Sequence, residues 1–406
     1  MPRNKLRPPA EKIVLPKGFR AGGVHCGIKK RGLDLALVAS DEPASVAGVF
    51  TKSTVVGAPV ELSRDRLPRR TGRGVVVNSG ISNVGMGARG RRAAASMARS
   101  AAQTLGCDEE DVLVASTGVI GEPLPIEKIR AALPRLAESL TPERLDRAAR
   151  AILTTDTVPK WAEARTRIDG RWVRVAGIAK GSGMIEPNMA TMLSFLFTDA
   201  AVSPRTLHAA LREVADETYN RLTIDGEGST SDTVLLFANG CAGNPPLRTS
   251  RSAGTRRFTR ALHEVAEDLV RQLARDGEGA TTLVTVNVSG AKNPEEADRA
   301  ARRIANSLLV KTAIFGRDPN WGRILQTIGA GRVKLDAEKT EVRLCGVPVY
   351  KGGRSTGPAA RKKAAKGLSE PEVAIDVRLG AGRSSARMFT CDLTTDYVRI
   401  NAEYTT

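Results

Sequence analysis

Apolar residues fall into short runs and helical stripes that alternate along nearly the whole 406-residue chain. Within residues 30–62, LDLALVAS, SVAGVF and APVEL read as strands, and RGVVVN, ending at Asn78, reads as another. RRAAASMARSAAQTL predicts a helix of small residues, and DVLVAS a buried strand running into a turn at Thr117-Gly118. IEKIRAAL and PERLDRAARAIL carry helical periodicity. WAEARTRI and RWVRVAGIA alternate with period two on either side of Asp169-Gly170, which predicts a hairpin. TMLSFLF reads as a strand, and Ser203-Pro204 opens a helix, a cap residue followed by a first-turn proline. A strand (DTVLLFANG), a long helix over 255–275, a strand (TTLVTVNVSG) and a helix (NPEEADRAARRIANSLL) follow. The last third predicts strands at RVKLD, EVRLC, EVAIDVRLG, ARMFTCDL and DYVRINAEY. This order is not a simple βαβ array. It predicts an α/β layered sandwich in preference to a doubly wound sheet.

Composition narrows the picture. Aromatic residues are only 4%, so the core is expected to be aliphatic. No run of about eighteen apolar residues occurs, and the basic N-terminus lacks the apolar stretch of a signal peptide. A cytoplasmic protein with no membrane association is expected. Cys26, Cys107, Cys241, Cys345 and Cys391 are scattered and form no CxxC pair, so reduced thiols are expected in place of a zinc site or disulfides. The net charge of +18 raises the question of nucleic acid. Its Lys and Arg residues are dispersed among acids, however, and the densest run, RKKAAK at 361–366, has no nucleic-acid motif beside it. No nucleic-acid partner is expected.

Three segments bear on chemistry. Gly85-Met86-Gly87-Ala88-Arg89-Gly90 satisfies GxGxxG, but the SGISNV loop separates it from the preceding strand and its neighbours do not read as βαβ. Histidine is scarce: His208 and His263 lie in amphipathic helical text, and His25 has no evident partner. A Ser-His-Asp enzyme, which holds an imidazole against its nucleophile, is not indicated. The third segment is KGSGMIEPNMATMLS, from Lys180 to Ser194, a kinked glycine loop entering a strand at Ala190-Thr191. Cutting that peptide bond would give Thr191 an α-amine with a pKa of about 7.7–8.0, a base available to its own hydroxyl without histidine. By pattern alone, a threonine opening a strand after such a loop is common.

KGSGMIEPNMATML resembles the processing site of the ornithine acetyltransferase (glutamate N-acetyltransferase) family. The likeness continues in LPKGFRAGGVHCGIKKRGLDLALVASDEPASVAGVFTKS, ASTGVIGEPLP, TTDTVPK, TIDGEGSTSDT, EGAT, VKTAIFGRDPNWGRI and DYVRINAEYTT, in the family's order. The resemblance implies self-cleavage between Ala190 and Thr191, with Thr191 as the nucleophile of both cleavage and acyl transfer. It implies that Thr117 and Gly118 form the oxyanion hole, and that Thr154, Lys180, Thr191, Glu278, Asn401 and Thr406 bind substrate. These residue types suit an acetylated amino acid: Lys180 for the α-carboxylate, Glu278 for an ammonium, Asn401 and Thr406 for hydrogen bonds. The C-terminal tail is then expected to fold back into the site.

The implied activity is ping-pong transfer of acetyl from N-acetylornithine to glutamate in arginine biosynthesis. No cofactor or metal is implied, and acetyl-CoA is a second acetyl donor for some members. The implied fold is similar to N-terminal-nucleophile enzymes, with a smaller C-terminal α/β part. Fragments 1–190 and 191–406 are expected to stay associated, two of each. A self-processed aminopeptidase or amidohydrolase of the same fold is the alternative. Two departures stand out: Ile81 occupies a polar position of an NSGNAN-like loop, and GRSTGPAARKKAAKGL is more basic than its family counterpart.

Overall fold

The computed structural model describes residues 13–186 and 192–403, which divide into two units. The larger comprises 13–186, 192–220 and 228–273; the smaller comprises 221–227 and 274–403.

The larger unit carries, in chain order, β1 (Phe19–Val24), β2 (Leu35–Phe50), α1 (Ala58–Asp65), β3 (Arg69–Ile81), α2 (Gly87–Leu105) and β4 (Val112–Val119). Next come α3 (Ile126–Glu138), α4 (Leu145–Ala151), β5 (Lys160–Ile168), β6 (Arg171–Lys180) and β7 (Leu193–Thr198). α5 (Pro204–Glu217), β8 (Thr233–Ala238) and α6 (Ala253–Arg275) complete it, the last residues of α6 falling to the smaller unit. Its strands form one sheet in the order β4-β3-β2-β8-β7-β6-β5, with β1 also paired to β2.

Both faces of this sheet are buried, so its strands read as nearly unbroken apolar runs. Leu35, Leu37 and Ala39 of β2 enter a core with α1, α2 and α3, while Ala36 and Val38, pointing the other way, enter a second. That second core also takes Val75, Val77 and Leu113 together with Phe195, Phe197, Leu235 and Phe237. The two halves of the sheet therefore face each other across it. Phe19 of β1 reaches Phe197 of β7 with ring centroids 5.4 Å apart, and Phe197 stacks on Phe237 at 5.7 Å. Truncating a buried phenylalanine of this kind to alanine costs about 3–5 kcal/mol. On the outer side of β6, Gly177 lets Leu269 of α6 approach. The result is a layered helix–sheet–sheet–helix sandwich, as the sequence predicts.

The smaller unit carries β9 (Leu283–Ala291), α7 (Pro294–Asn306), α8 (Leu308–Phe315), α9 (Trp321–Ala330), β10 (Glu341–Leu344), β11 (Val347–Lys351) and β12 (Arg354–Ser355). α10 (Pro358–Gly367), β13 (Glu372–Arg378), β14 (Ser384–Cys391) and α11 (Thr395–Glu403) follow. Its sheet runs β12-β11-β10-β13-β9-β14, with β9 and β13 parallel. α7 is capped by Asn293, whose side chain accepts the Glu296 amide, and its apolar stripe (Ala297, Ala300, Ala301, Ile304) packs on that sheet.

Several expectations fail locally. APVEL is helix α1, with Pro59 in the first turn after Gly57 and Ala58, Pro59, Val60 and Ser63 buried along one side. RVKLD is not a strand: Arg332 turns left-handed (φ 54°), and Asp336 N donates to Leu379 O in a loop. Residues 396–403 of DYVRINAEY lie in helix α11, started by the Thr394 hydroxyl accepting from Asp396 N. Thr117 and Gly118 lie inside β4, not in a turn after it. The GxGxxG segment does sit in a βαβ unit, because α2 returns the chain so that β4 runs parallel to β3.

Candidate active site

Thr117, on the last stretch of β4, is buried, and Gly118 follows it at φ 127°, a conformation that favours glycine. A side chain there is also blocked by space, because a Cβ on Gly118 would stand 2.3 Å from the Gly80 carbonyl carbon. The β3–β4 ladder is irregular at Gly80/Ile81, the kind of local break that re-aims backbone next to functional sites. Lys180, the last residue of β6, is buried as well, and its Nζ donates to Thr117 Oγ1 at 3.0 Å. A hydroxyl that accepts this bond still has its own O–H to give. An ammonium thus polarises Thr117 as a donor.

The loop after α4 fixes this corner from behind. Asp156 has a wholly buried side chain. Its Oδ1 accepts from Lys160 Nζ at 2.7 Å and from Gly181 N at 2.6 Å, and its Oδ2 accepts from Thr154 N at 3.1 Å. Thr155 and Ser182 hydroxyls meet at 2.8 Å alongside. Burial alone would raise the Asp156 pKa, but the charges of Lys160 and then Lys180, with these hydrogen bonds, hold it at about 2. The carboxylate is ionised at any physiological pH.

A second buried carboxylate, Asp34, gathers the amides of Cys26, Gly27, Ile28 and Lys29 at 2.5–3.1 Å. This folds the GIK loop so that Lys29 Nζ donates to Leu153 O at 3.0 Å, next to Thr154. Burial, and lesser repulsion from Lys180, lower the Lys29 pKa against the pull of Asp34 and Asp156. The Ile81 departure is accommodated: its carbonyl accepts from Asn78 Nδ2 at 2.8 Å, and its side chain packs against the helix-side core. His25 also has a partner after all, its Nδ1 lying 2.7 Å from Gly32 O and 3.3 Å from Asp34.

In the smaller unit, Glu278 is buried in the loop after α6, and its Oε2 accepts from Asn401 Nδ2 of α11 at 2.8 Å. Gly279 makes this possible: it has φ 69°, and a Cβ on it would stand 2.6 Å from Tyr397 N at the start of α11. Tyr397 donates to Asp225 Oδ2 at 3.3 Å, so the TIDGEG, EGAT and DYVRIN blocks converge.

Two groups of the expected site residues are therefore assembled, Thr117, Gly118, Thr154 and Lys180 in the larger unit, and Glu278 with Asn401 in the smaller. Ala190, Thr191 and Thr406 lie outside the described residues. Asp156, Lys160, Lys29, Asp225 and Tyr397 were not singled out from sequence. For Asp156 the available signal is a carboxylate flanked by hydroxyl residues in TTDTVPK. Among the described residues, no cluster of three or more His, Cys, Asp or Glu is placed to hold a metal ion, and no helix is long and apolar enough to cross a membrane. The five cysteines are free.

Proteins of known sequence and structure resemble this chain over most of its length. The arginine biosynthesis bifunctional protein ArgJ of Geobacter sulfurreducens is 47% identical over 394 residues, covering 96% of this chain and 99% of that protein. The protein of the same name from Bacillus subtilis is 45% identical over 97% of this chain and 96% of its own length. A crystal structure of the Bacillus halodurans ArgJ protein superposes with a TM-score of 0.51 at 43% identity, covering 53% of this chain and all of that one. Residues 20–406 match the ArgJ family, and with these relatives alike over nearly their full length, the chain belongs to that family.

Proposed function

We infer that the chain is an acetyltransferase of arginine biosynthesis, moving acetyl from N-acetylornithine to glutamate. The observation that carries this reading is Lys180 donating to Thr117 beside Gly118, a preorganised polar corner within a chain of this family. A corner of this kind, a hydroxyl and a backbone amide at one strand end, suits an oxyanion.

In the proposed sequence the Thr191 hydroxyl first attacks the Ala190 carbonyl. The C–N bond breaks, nitrogen takes the hydroxyl proton, and water hydrolyses the resulting ester. This leaves an Ala190 carboxylate and a free Thr191 α-amine. In catalysis that amine takes the Thr191 proton as the hydroxyl oxygen attacks the acetyl carbonyl. Thr117 and Gly118 receive the oxyanion, and the proton passes to the departing ornithine nitrogen as its bond to acetyl breaks. The amine of glutamate then attacks the acetyl ester, and threonine leaves with its proton returned. One amide replaces another, so no resident cofactor or metal takes part. Of the residues that the resemblance implies in substrate binding, Lys180 suits a carboxylate, Glu278 suits an ammonium, and Thr154, Asn401 and Thr406 suit hydrogen bonds.

Support for cleavage comes from a length. The Bacillus halodurans chain is matched in full by 53% of this one, the same share that residues 191–406 make up. The relatives are named bifunctional. We take the second activity here to be acetylation of glutamate from acetyl-CoA, in a cytoplasmic assembly of two copies of each fragment.

The test is direct. Purified wild type should yield two fragments, the second starting at Thr191, and Thr191→Ala should remain one chain. Ornithine release should then depend on glutamate. An intact wild-type chain sinks the reading, and steady release without glutamate marks a hydrolase instead.

A further inference from the structure

We propose that Asp156 is a positioning residue of the transfer site: its buried carboxylate, braced by Lys160, clamps the Thr154 and Gly181 amides so that Lys180 is held on the Thr117 hydroxyl. The proposal rests on the acetyl-transfer reading above and adds to it a residue that does not itself touch substrate.

Lys180 is a long side chain with four rotatable bonds, and fixing it against one acceptor opposes considerable rotamer entropy. Two things restrict it: burial, and the backbone it leaves from. That backbone is pinned on its far side, because Gly181 N donates to Asp156 Oδ1 at 2.6 Å. The same carboxylate takes Thr154 N through Oδ2, so one rigid group sets two substrate-facing segments at once. The Thr155–Ser182 hydroxyl contact stitches the same two segments a second time. Lys160 supplies the opposite charge at 2.7 Å, and both members of that pair are wholly buried. An ion pair removed from water this completely is weak evidence for stability but a good device for fixing geometry. The arrangement thus carries Lys180 to Thr117 without any contact between Asp156 and the reacting atoms.

The experiment uses the full chain and a double-mutant cycle. Asp156→Asn, Thr117→Ala and the two together are compared for kcat per active site, counted by the burst of ornithine released before glutamate is added. Asp156→Asn should lower kcat about ten- to hundredfold, below the 10²–10³ typical of deleting an oxyanion donor outright, with KM changed less than about threefold. In the Thr117→Ala background it should add almost nothing, because both act through the same hydroxyl. Effects that multiply independently, or an unchanged kcat per site, overturn the proposal. Should Asp156→Asn fail to fold, the charge-balanced Asp156→Asn/Lys160→Met pair takes its place. If that also fails to fold, Asp156 is a structural residue and the proposal is overturned. A wild type without cleavage or glutamate dependence would instead strike the acetyl-transfer reading, which the same assays register first.

Discussion

Gly80 and Gly118 stand opposite each other in parallel strands so closely that the Gly80 backbone leaves no room for a side chain at Gly118. The approach brings the end of β4 against the β3 bulge and fixes the Thr117-Gly118 backbone. Gly118→Ala should therefore do two things. It should lower stability by about 2–5 kcal/mol, through a strained φ and a forced strand shift. It should also abolish fragment formation in whatever protein still folds. Thermal melts and a cleavage time course check this, and a variant that cleaves at the wild-type rate contradicts it.

Glu278 and Asn401 form a contact of a different kind, a carboxylate held by an amide. Removing the carboxylate by Glu278→Ala should act on binding of the ammonium end. The expected change is a rise in KM for N-acetylornithine of about ten- to hundredfold, the equivalent of about 1.5–3 kcal/mol for a hydrogen bond to a charged group. Asn401→Ala should raise KM in the same direction but less. A loss confined to kcat would place Glu278 elsewhere in the reaction.

Asp156 should leave a mark on acid stability. Its carboxyl titrates at about 2 in the folded chain, against about 3.9 for an unperturbed aspartate. A depressed carboxylate pKa contributes stability that is fully present above the unfolded value and lost as pH falls toward the folded one. The window is therefore pH 4 down to 2, and the contribution is about 2–3 kcal/mol. Melting temperatures of wild type and Asp156→Asn should converge across that window. Parallel curves would show that the charge adds nothing to folding.

Cleavage should not release the fragments. In the sheet, β7 and β8 lie between β2 on one side and β6 on the other, so strands from beyond residue 191 are flanked by strands from before 190. Ala179 pairs with Ser194, and Val46 with Phe237. Processed protein should run as two bands under denaturing conditions and as one particle under native ones. Urea should separate the fragments only where the circular dichroism of the sheet is lost. Separation at lower urea would mean the sheet does not bind them.

Much of this was legible in the chain. The Asp169-Gly170 hairpin has both residues at positive φ, as the dipeptide suggests, and β7 and β8 fall where the apolar runs place them. Which strand lies beside which was not legible, because alternation fixes the face a residue uses and not its neighbour. Helix α11 looks strand-like in the sequence because its apolar residues alternate over a few positions, while a threonine one residue before it sets the backbone turning. In the site, Thr117 and Lys180 came from likeness to the family. Asp156 and Lys160 become visible only with their burial, since an Asp in a loop and a Lys at a strand end are ordinarily solvated.

The strand order also has a consequence in time. The N-terminal strands of the larger unit cannot complete their sheet until β7 and β8 have been synthesised and inserted, and the bond proposed for cleavage immediately precedes β7. A chain that folded piecewise from its N-terminus would have no finished site with which to cut itself. Appearance of the two fragments is then a record that the larger unit has closed. In a cell or a refolding vessel, an uncut band measures the molecules that have not yet got there.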